Sequence, residues 1–281
     1  MIKGISYWAF APETDGSPCD ITKAMRRAKT LGFDAIELTI DNGGRLSLST
    51  TQKEAEAIRQ AADEIGIALK TVCSGIAWEC SPTHPDAAVR AQAVKNAKKM
   101  IQIASWLGAE TLLYIPGMVS APFVADFIPQ PYDAVDARAR KALRQILPLA
   151  EKCGVRLGVE NVWNRYLLTP LEMRDFIDSF DSPFVGSYFD VANIMLYGHP
   201  EHWIKILGRR IFAVHIKDFK VEVGNLNGFV DILTGDVYYP AVMQMFKKTG
   251  YKGAFTAEVF ASPKRDMPAI AIQALKKIEE M

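Results

Sequence analysis

The sequence of 281 residues alternates between short β-prone segments and amphipathic helical segments along its whole length. The longer segments carry apolar residues at helical spacing, and the shorter ones are apolar runs bounded by turn-forming residues. Strands are predicted at residues 2–10, 34–40, 68–73, 111–115, 157–162, 185–190, 211–216 and 254–259. Helices are predicted at residues 21–31, 49–65, 86–107, 132–152, 170–180, 200–207, 239–249 and 267–280.

This alternation indicates parallel strands that are joined by right-handed helical crossovers. The length fits a closed (β/α)8 TIM barrel, which typically has about 250 residues. An open doubly wound sheet is the rival fold, and it usually carries a glycine-rich phosphate-binding turn after its first strand. Here the first strand leads into Ala-Phe-Ala-Pro, and the chain contains neither GxGxxG nor GxxxxGK[ST]. We therefore expect an α/β fold, a (β/α)8 TIM barrel, as a single domain over residues 1–281.

Charge and composition argue against several classes of partner. With 33 basic and 32 acidic side chains the net charge is +1, which does not favour nucleic acid or an acidic membrane surface. No window approaches 18 uninterrupted apolar residues, so no membrane span is predicted. The four cysteines form no CxxC pair, and the opening residues lack the pattern of a signal peptide. Reduced thiols and a cytoplasmic location are the expectations.

Four apolar strand segments in the second half of the chain each end at a residue that can bind a metal. A buried carboxylate costs several kcal/mol unless it is paired or bound to a metal, so four such ends in succession indicate a shared centre. In a barrel these ends meet at one side of the mouth, where the active sites of barrel enzymes lie. The four residues are Glu160, Asp190, His215 and Glu258.

Three carboxylates and one imidazole are typical of a divalent ion with mainly hard ligands. Mn²⁺ or Mg²⁺ fits this set best, Co²⁺ is an alternative, and Zn²⁺ also binds such side chains. The other interpretation is that some of the four residues form ion pairs at strand ends. Their common register at four consecutive strand ends favours the metal site.

The sequence around these four residues resembles a known family. The stretches that carry the resemblance are Gly158-Val-Glu160-Asn161, Phe189-Asp190-Val-Ala-Asn193, Val214-His215-Ile-Lys217-Asp218, Ala257-Glu258 and the segment at residues 235–240. Over nearly its whole length the chain is similar to the xylose-isomerase-like TIM-barrel superfamily, in the sugar phosphate isomerase and epimerase branch that contains the ketose 3-epimerases. These motifs are specific for the superfamily and the metal set, and weak for the substrate.

The resemblance implies a metal-dependent sugar epimerase or isomerase that acts on a ketose or a ketose phosphate. In such epimerases two metal-bound glutamates lie on opposite faces of the ketose, and here they would be Glu160 and Glu258. One removes the proton beside the carbonyl group and the other returns a proton to the opposite face, through an enediolate that the ion stabilises. Asp190 and His215 would mainly hold the ion.

Five further residues are candidates for contact with the sugar. Asn193 stands where some ketose 3-epimerases have a histidine, and it could bind a hydroxyl group or simply stabilise a turn. Lys217 stands where many relatives have an arginine, and it could bind a phosphate or a hydroxyl group or remain solvated. Trp8 and Trp163 could form an aromatic wall against the sugar or pack in the core. Glu37 could contribute a hydrogen bond within the mouth of the barrel.

Three other functions stay open at this point. A polyol-ketone dehydratase would use the same enolate to expel a β-hydroxyl group, and loss of water would distinguish it from an epimerase. The intact pair Glu160 and Glu258 disfavours a non-catalytic sugar-binding barrel. An endonuclease-type phosphodiesterase needs more histidines than the four present, and the near-neutral charge also disfavours it. Relatives often form homodimers or homotetramers, and only that analogy bears on the assembly of this chain.

Overall fold

A computed structural model of the protein describes residues 1–124 and 128–281. Eight parallel strands close into a barrel in the order β1-β10-β7-β6-β5-β4-β3-β2, which confirms the predicted (β/α)8 TIM barrel. The barrel strands are β1 Ile2–Ser6, β2 Ala35–Thr39, β3 Thr71–Cys73, β4 Thr111–Tyr114, β5 Arg156–Glu160, β6 Val185–Asp190, β7 Ile211–Ile216 and β10 Ala254–Ala257. A small antiparallel pair is formed by β8 Asp218–Phe219 and β9 Phe229–Val230.

Helices follow the barrel strands, as the alternating pattern predicts. They are α1 Ile21–Leu31, α2 Gln52–Ile65, α3 Ile76–Glu79, α4 Ala87–Leu107, α5 Tyr132–Cys153, α6 Pro170–Asp178, α7 Pro200–Leu207, α8 Tyr239–Thr249 and α9 Met267–Glu279. The short helix α3 and the pair β8–β9 are additional to the predicted elements. In the described part of the chain, no helix has the length and apolar character needed to cross a membrane.

Local signals set the ends of several elements, and two of these ends differ from the prediction. The helix α1 ends at Leu31 as predicted, because the next residue, Gly32, has a φ of 97° in the left-handed region that glycine adopts without strain. The helix α2 begins later than residue 49 because Thr51 and Glu54 form a capping box around its first turn. The strand β1 ends at Ser6 rather than at residue 10, since the chain turns there into the 3-10 helix Tyr7–Ala9.

Side chains along β6 alternate between the helical layer and the barrel interior, because successive residues of a strand point to opposite faces. Phe189 lies in the outer layer, where its ring is 6.1 Å from Trp203 of α7 and 6.4 Å from Phe246 of α8. Tyr188 belongs instead to a smaller apolar cluster inside the barrel. Asp190 shares the face of Tyr188, and it is the residue at which β6 reaches the mouth.

The segment that follows β7 leaves the barrel and returns to it through the pair β8–β9, and Asp218 anchors it. The Asp218 carboxylate accepts four backbone N–H hydrogen bonds of 2.9 to 3.1 Å, from Phe219, Leu233, Gly235 and Val237. A side chain at position 235 would collide with this carboxylate, so the anchor requires glycine there. These bonds hold β9 beside the mouth of the barrel, next to the site described below.

Candidate metal centre and active site

The four predicted ligands lie together at the carboxyl ends of four neighbouring strands. Glu160 ends β5, Asp190 ends β6, His215 lies in β7 and Glu258 follows β10. All four side chains are buried, and one potential ligand atom from each lies within 4.8 Å of those of the others. Parallel pairing places Asp190 directly opposite His215, so adjacent strand ends direct their side chains to one point.

The two ring nitrogens of His215 have different partners. Nδ1 lies 2.7 Å from Oε2 of Glu258, 3.8 Å from Oε1 of Glu160 and 3.9 Å from Oδ2 of Asp190. Nε2 lies 2.7 Å from Oε1 of Glu37, and the hydroxyl group of Tyr188 donates a hydrogen bond to the other oxygen of that carboxylate. A carboxylate behind a histidine fixes the ring and its tautomer, so Nδ1 is the atom turned towards the cluster.

Asp190 is held so that only one of its oxygens faces the cluster. Its Oδ1 accepts backbone N–H hydrogen bonds of 2.9 Å from Ala192 and Asn193. The side chain of Asn161 clamps the backbone of Asp190 through its amide oxygen and nitrogen, at 2.9 and 2.8 Å. The remaining oxygen, Oδ2, is therefore available to a cation in the cluster.

Lys217 brings a positive charge to the same carboxylates. Its Nζ lies 2.7 Å from Oε2 of Glu258 and 3.2 Å from Oδ2 of Asp190. The ammonium group is also 5.3 Å from the ring centroid of Phe229 on β9. A metal ion that draws on these two oxygens must share them with Lys217 or displace its ammonium group.

Burial and charge act differently on the two glutamates. Burial raises the pKa of Glu160 to about 7, and the nearby imidazole of His215 partly opposes this rise. Burial acts on Glu258 in the same direction, but the cations of Lys217 and His215 outweigh it and hold the pKa of that carboxyl group well below its usual range. Burial lowers the pKa of His215, yet the carboxylates of Glu258 and Glu37 raise it well above its usual value.

The donor set fits a divalent cation. Among the described residues, three buried atoms of the cluster lack a well-oriented hydrogen bond, namely Oδ2 of Asp190, Nδ1 of His215 and Oε2 of Glu258. Buried polar atoms without such bonds are costly, and a bound cation would satisfy all three. Four buried carboxylates, including Glu37, face at most two cationic side chains, so the cluster also has negative charge left for a positive ion.

A cavity of about 620 Å³ opens above the four ligands, and its wall is mainly aromatic and aliphatic. The ring of Trp8 stacks on Phe260 with centroids 5.7 Å apart and an interplanar angle of 22°. On another part of the wall, the centroids of Trp163 and Phe229 are 5.2 Å apart. Glu160 and Glu258 line the floor, so a ligand in the cavity would lie against both carboxyl groups.

Comparison with known proteins identifies the family. A family model described as a xylose isomerase-like TIM barrel matches residues 25–281. The chain belongs to this family. Among xylose isomerase-like proteins it is similar to the L-ribulose-5-phosphate 3-epimerase UlaE of Salmonella paratyphi A, with 25% identity over 240 residues that cover 84% of this chain and 81% of the relative.

Solved structures share the whole architecture. The apo 3-keto-D-glucoside 4-epimerase from E. coli superposes with a TM-score of 0.78 at 18% identity, covering 100% of each chain. An L-ribulose 3-epimerase superposes with a TM-score of 0.79 at 19% identity, covering 99% of this chain and 93% of the other. At such low identities these likenesses bear on the fold alone.

The predicted substrate residues of this xylose isomerase-like chain have different positions relative to the cavity. Trp8, Trp163, Asn193 and Lys217 line it, and Nε1 of Trp163 donates a 2.8 Å hydrogen bond to the carbonyl oxygen of Asn193. Glu37 is absent from its described lining, and its two oxygens are engaged by Tyr188 and by the imidazole of His215 in the candidate ligand cluster. Contact of these five residues with a sugar stays a prediction.

Three phenylalanines of the cavity wall are not predicted from the sequence. Phe123, Phe229 and Phe260 lie in loops or in the short strand β9, where no helical or strand periodicity singles out a functional side. Phe260 had the clearest signal, because it comes two residues after Glu258 at the end of a barrel strand.

Proposed function

We propose that this protein is a divalent-metal-dependent sugar epimerase or isomerase that moves a proton beside the carbonyl group of a ketose. The observation that carries the proposal is the burial of two glutamates, Glu160 and Glu258, in one cluster with Asp190 and His215 on the floor of the cavity. The names of the relatives agree with this class, since UlaE is an L-ribulose-5-phosphate 3-epimerase and the two structural neighbours are epimerases.

We propose Mn²⁺ or Mg²⁺, ahead of Co²⁺ and Zn²⁺, as the ion for this cluster. Three of the four potential ligands are carboxylates, and hard divalent cations prefer oxygen donors. Such an ion supplies positive charge that stabilises the enediolate left when the substrate proton departs.

The two glutamates would act as an acid–base pair. Their environments push their pKa values apart, because burial raises that of Glu160 to about 7 and nearby cations lower that of Glu258. Such divergence is typical of groups that exchange protons with a substrate. The ionised carboxylate of Glu258 would accept the proton beside the carbonyl group, and the carboxyl group of Glu160 would return one to the other face. The reverse reaction exchanges these roles.

Neighbouring side chains would position the pair and the sugar. Lys217 holds Glu258 through its ammonium group, while Nδ2 of Asn193 lies 3.5 Å from Oε1 of Glu160 and 3.1 Å from the carbonyl oxygen of Asn161. We infer that Asn193 and Lys217 also donate hydrogen bonds to substrate hydroxyl groups, since both line the cavity. Glu37 would be a positioning residue for the histidine rather than a contact of the sugar.

The test is exchange of substrate C–H hydrogen for deuterium in D₂O with Mn²⁺, followed by NMR over a broad panel of ketoses. Glu258→Gln and Glu160→Gln should each lower the exchange rate at least about 100-fold, the low end for loss of general acid–base catalysis. The matched control is Glu110→Gln, which changes an exposed glutamate paired with Lys70 and Arg156 outside the cavity lining.

The proposal is wrong if no ketose exchanges, or if Glu258→Gln exchanges as fast as the unaltered protein. The products of any active substrate should be analysed as well. Loss of water instead of inversion would assign the protein as a polyol-ketone dehydratase that uses the same proton abstraction.

A further inference from the structure

The charge of the cavity is unsuited to a phosphorylated sugar. Lys217 is the one cationic side chain among its described lining residues, and its ammonium group is already paired with Asp190 and Glu258. Two further acidic side chains lie in the wall, Asp218, which is satisfied by backbone N–H groups, and Asp231, which is paired with Arg265 outside the described lining. Residues 125–127, Ala-Asp-Phe, contain no basic side chain in the sequence. A phosphate dianion in this cavity would therefore meet carboxylates, and no unpaired cationic side chain of the described lining would receive it.

Backbone N–H groups of the loop that follows β7 are also engaged. In TIM barrels phosphate is frequently bound by the loops that follow the seventh and eighth strands. Here the loop after β7 donates four backbone N–H groups to the carboxylate of Asp218, so an internal anion already occupies that position. The side chains that these two loops present to the cavity include Phe229, Val230, Val259 and Phe260, none of which binds an anion.

The wall of the cavity is instead suited to a flat ring. Phe260 is 62% exposed although it stacks on Trp8, so its outer face has no protein cover. A second aromatic pair, Trp78 and Phe123, lies in the same wall with centroids 4.7 Å apart. A small ketose bound at the metal cluster would leave this part of a 620 Å³ cavity empty. Hydroxyl groups placed there would find few polar partners, whereas the C–H face of a ring would be well accommodated.

On this basis we propose that the substrate is an unphosphorylated keto-sugar that carries a second ring, glycosyl or aryl, and that Trp8 and Phe260 receive this ring. The inference rests on the proposed function, since the keto group must lie over Glu160 and Glu258. It adds the substrate class, which the name of the UlaE relative, an enzyme of a sugar phosphate, does not predict.

Substrate pairs that differ in one feature test the charge part of the inference. Deuterium exchange with Mn²⁺ is compared for L-ribulose and L-ribulose 5-phosphate, and for 3-keto-glucose, its phenyl glycoside and its glucosyl glycoside. The phosphorylated member should have a kcat/KM at least about tenfold lower than its uncharged partner. Each ring-bearing ketone should have a higher kcat/KM than 3-keto-glucose. Comparison of the two glycosides distinguishes a preference for an aryl ring from a preference for a glycosyl ring.

Binding measurements keep this test independent of turnover. Calorimetry on Glu160→Gln, which leaves Lys217 paired with Glu258 and Asp190, should give tighter binding of the phenyl or glucosyl ketone than of L-ribulose 5-phosphate. The inference is overturned if the phosphorylated ketose binds or reacts better than the uncharged ring-bearing ketones. Absence of exchange with every compound would instead refute the proposed function, and the binding order would still decide the substrate class.

A variant of the wall tests the role of the stacked ring. Phe260→Ala should raise KM about 3- to 10-fold for the ring-bearing ketones and leave 3-keto-glucose unchanged, and Phe260→Trp should restore binding. The matched control is Tyr197→Ala, because Tyr197 is an equally exposed aromatic residue, at 61%, that lies outside the cavity lining. An equal loss for both kinds of substrate would mean that Phe260 supports the loop and receives no ring.

Discussion

Replacing Glu37 by glutamine should weaken metal binding, although Glu37 is not one of the four clustered ligands. Its carboxylate accepts a 2.7 Å hydrogen bond from Nε2 of His215 and a second hydrogen bond from Tyr188, both buried. Glutamine keeps the shape but removes the negative charge that makes Nδ1 of His215 a better donor to a metal. The glutamine amide group would also place an N–H donor against one of the two donors, the His215 imidazole or the Tyr188 hydroxyl group, that the carboxylate accepts from.

The expected magnitude follows from this geometry. Loss of a hydrogen-bond partner behind a metal ligand typically costs 10- to 100-fold in metal affinity, or about 1.4 to 2.7 kcal/mol. Tyr188→Phe removes only the outer hydrogen bond and leaves the carboxylate on His215, so its effect should be smaller. Titration calorimetry with Mn²⁺ at fixed pH measures both affinities, with Glu110→Gln as the control.

Folding must be checked in parallel, because Glu37 is only 1% exposed. Circular dichroism and a thermal melt of the metal-free variants separate a local loss of affinity from a damaged barrel. Should Glu37→Gln fold normally and bind Mn²⁺ within twofold of the unaltered protein, the role assigned to this carboxylate is wrong. If that variant does not fold, Tyr188→Phe provides the comparison.

Three further predictions follow from the same contacts. Mn²⁺ affinity should rise from pH 6 to 8, since the raised pKa values of His215 and Glu160 mean that both side chains must lose a proton to bind the ion, and calorimetry across pH measures this rise. Mn²⁺ at about 100 times its Kd should add about 2.7 kcal/mol to the free energy of unfolding, which EDTA should reverse in a thermal melt. Phe189→Ala should lower the unfolding free energy in urea by about 3–5 kcal/mol, because its ring fills the layer between β6 and α7, and a loss below about 1 kcal/mol would contradict that packing.

Much of the fold follows from local sequence pattern. The alternation of strands and helices predicts the parallel barrel because a strand that is followed by a helix must cross over to reach its parallel neighbour. The same pattern predicts the four clustered ligands, since consecutive parallel strands end on the same side of the barrel. Glu160 and Asp190 end β5 and β6, and these two strands pair directly. Their meeting is a property of topology and needs no knowledge of side-chain conformation.

The partners of those ligands required the closed barrel. Glu37 and His215 are 178 positions apart, on β2 and β7, and they meet across the barrel interior. The sequence predicts a sugar contact for Glu37, and no local pattern distinguishes that role from a hydrogen bond to a histidine. Local sequence does not determine the role of Lys217 either, because from its position in the chain the ammonium group could reach solvent, a substrate or the carboxylates that it contacts in the structure.

The composition of the cavity wall also depends on tertiary structure. The carboxylate of Asp218 accepts hydrogen bonds from backbone N–H groups up to 19 residues away, and these bonds set where Phe229 lies relative to the candidate ligand cluster. The sequence by itself determines the barrel and the candidate ligands at its mouth, because strand period and chain connectivity are local properties. Only the tertiary structure determines what surrounds those ligands, because contacts across a barrel join residues that are distant in the chain and have no common period.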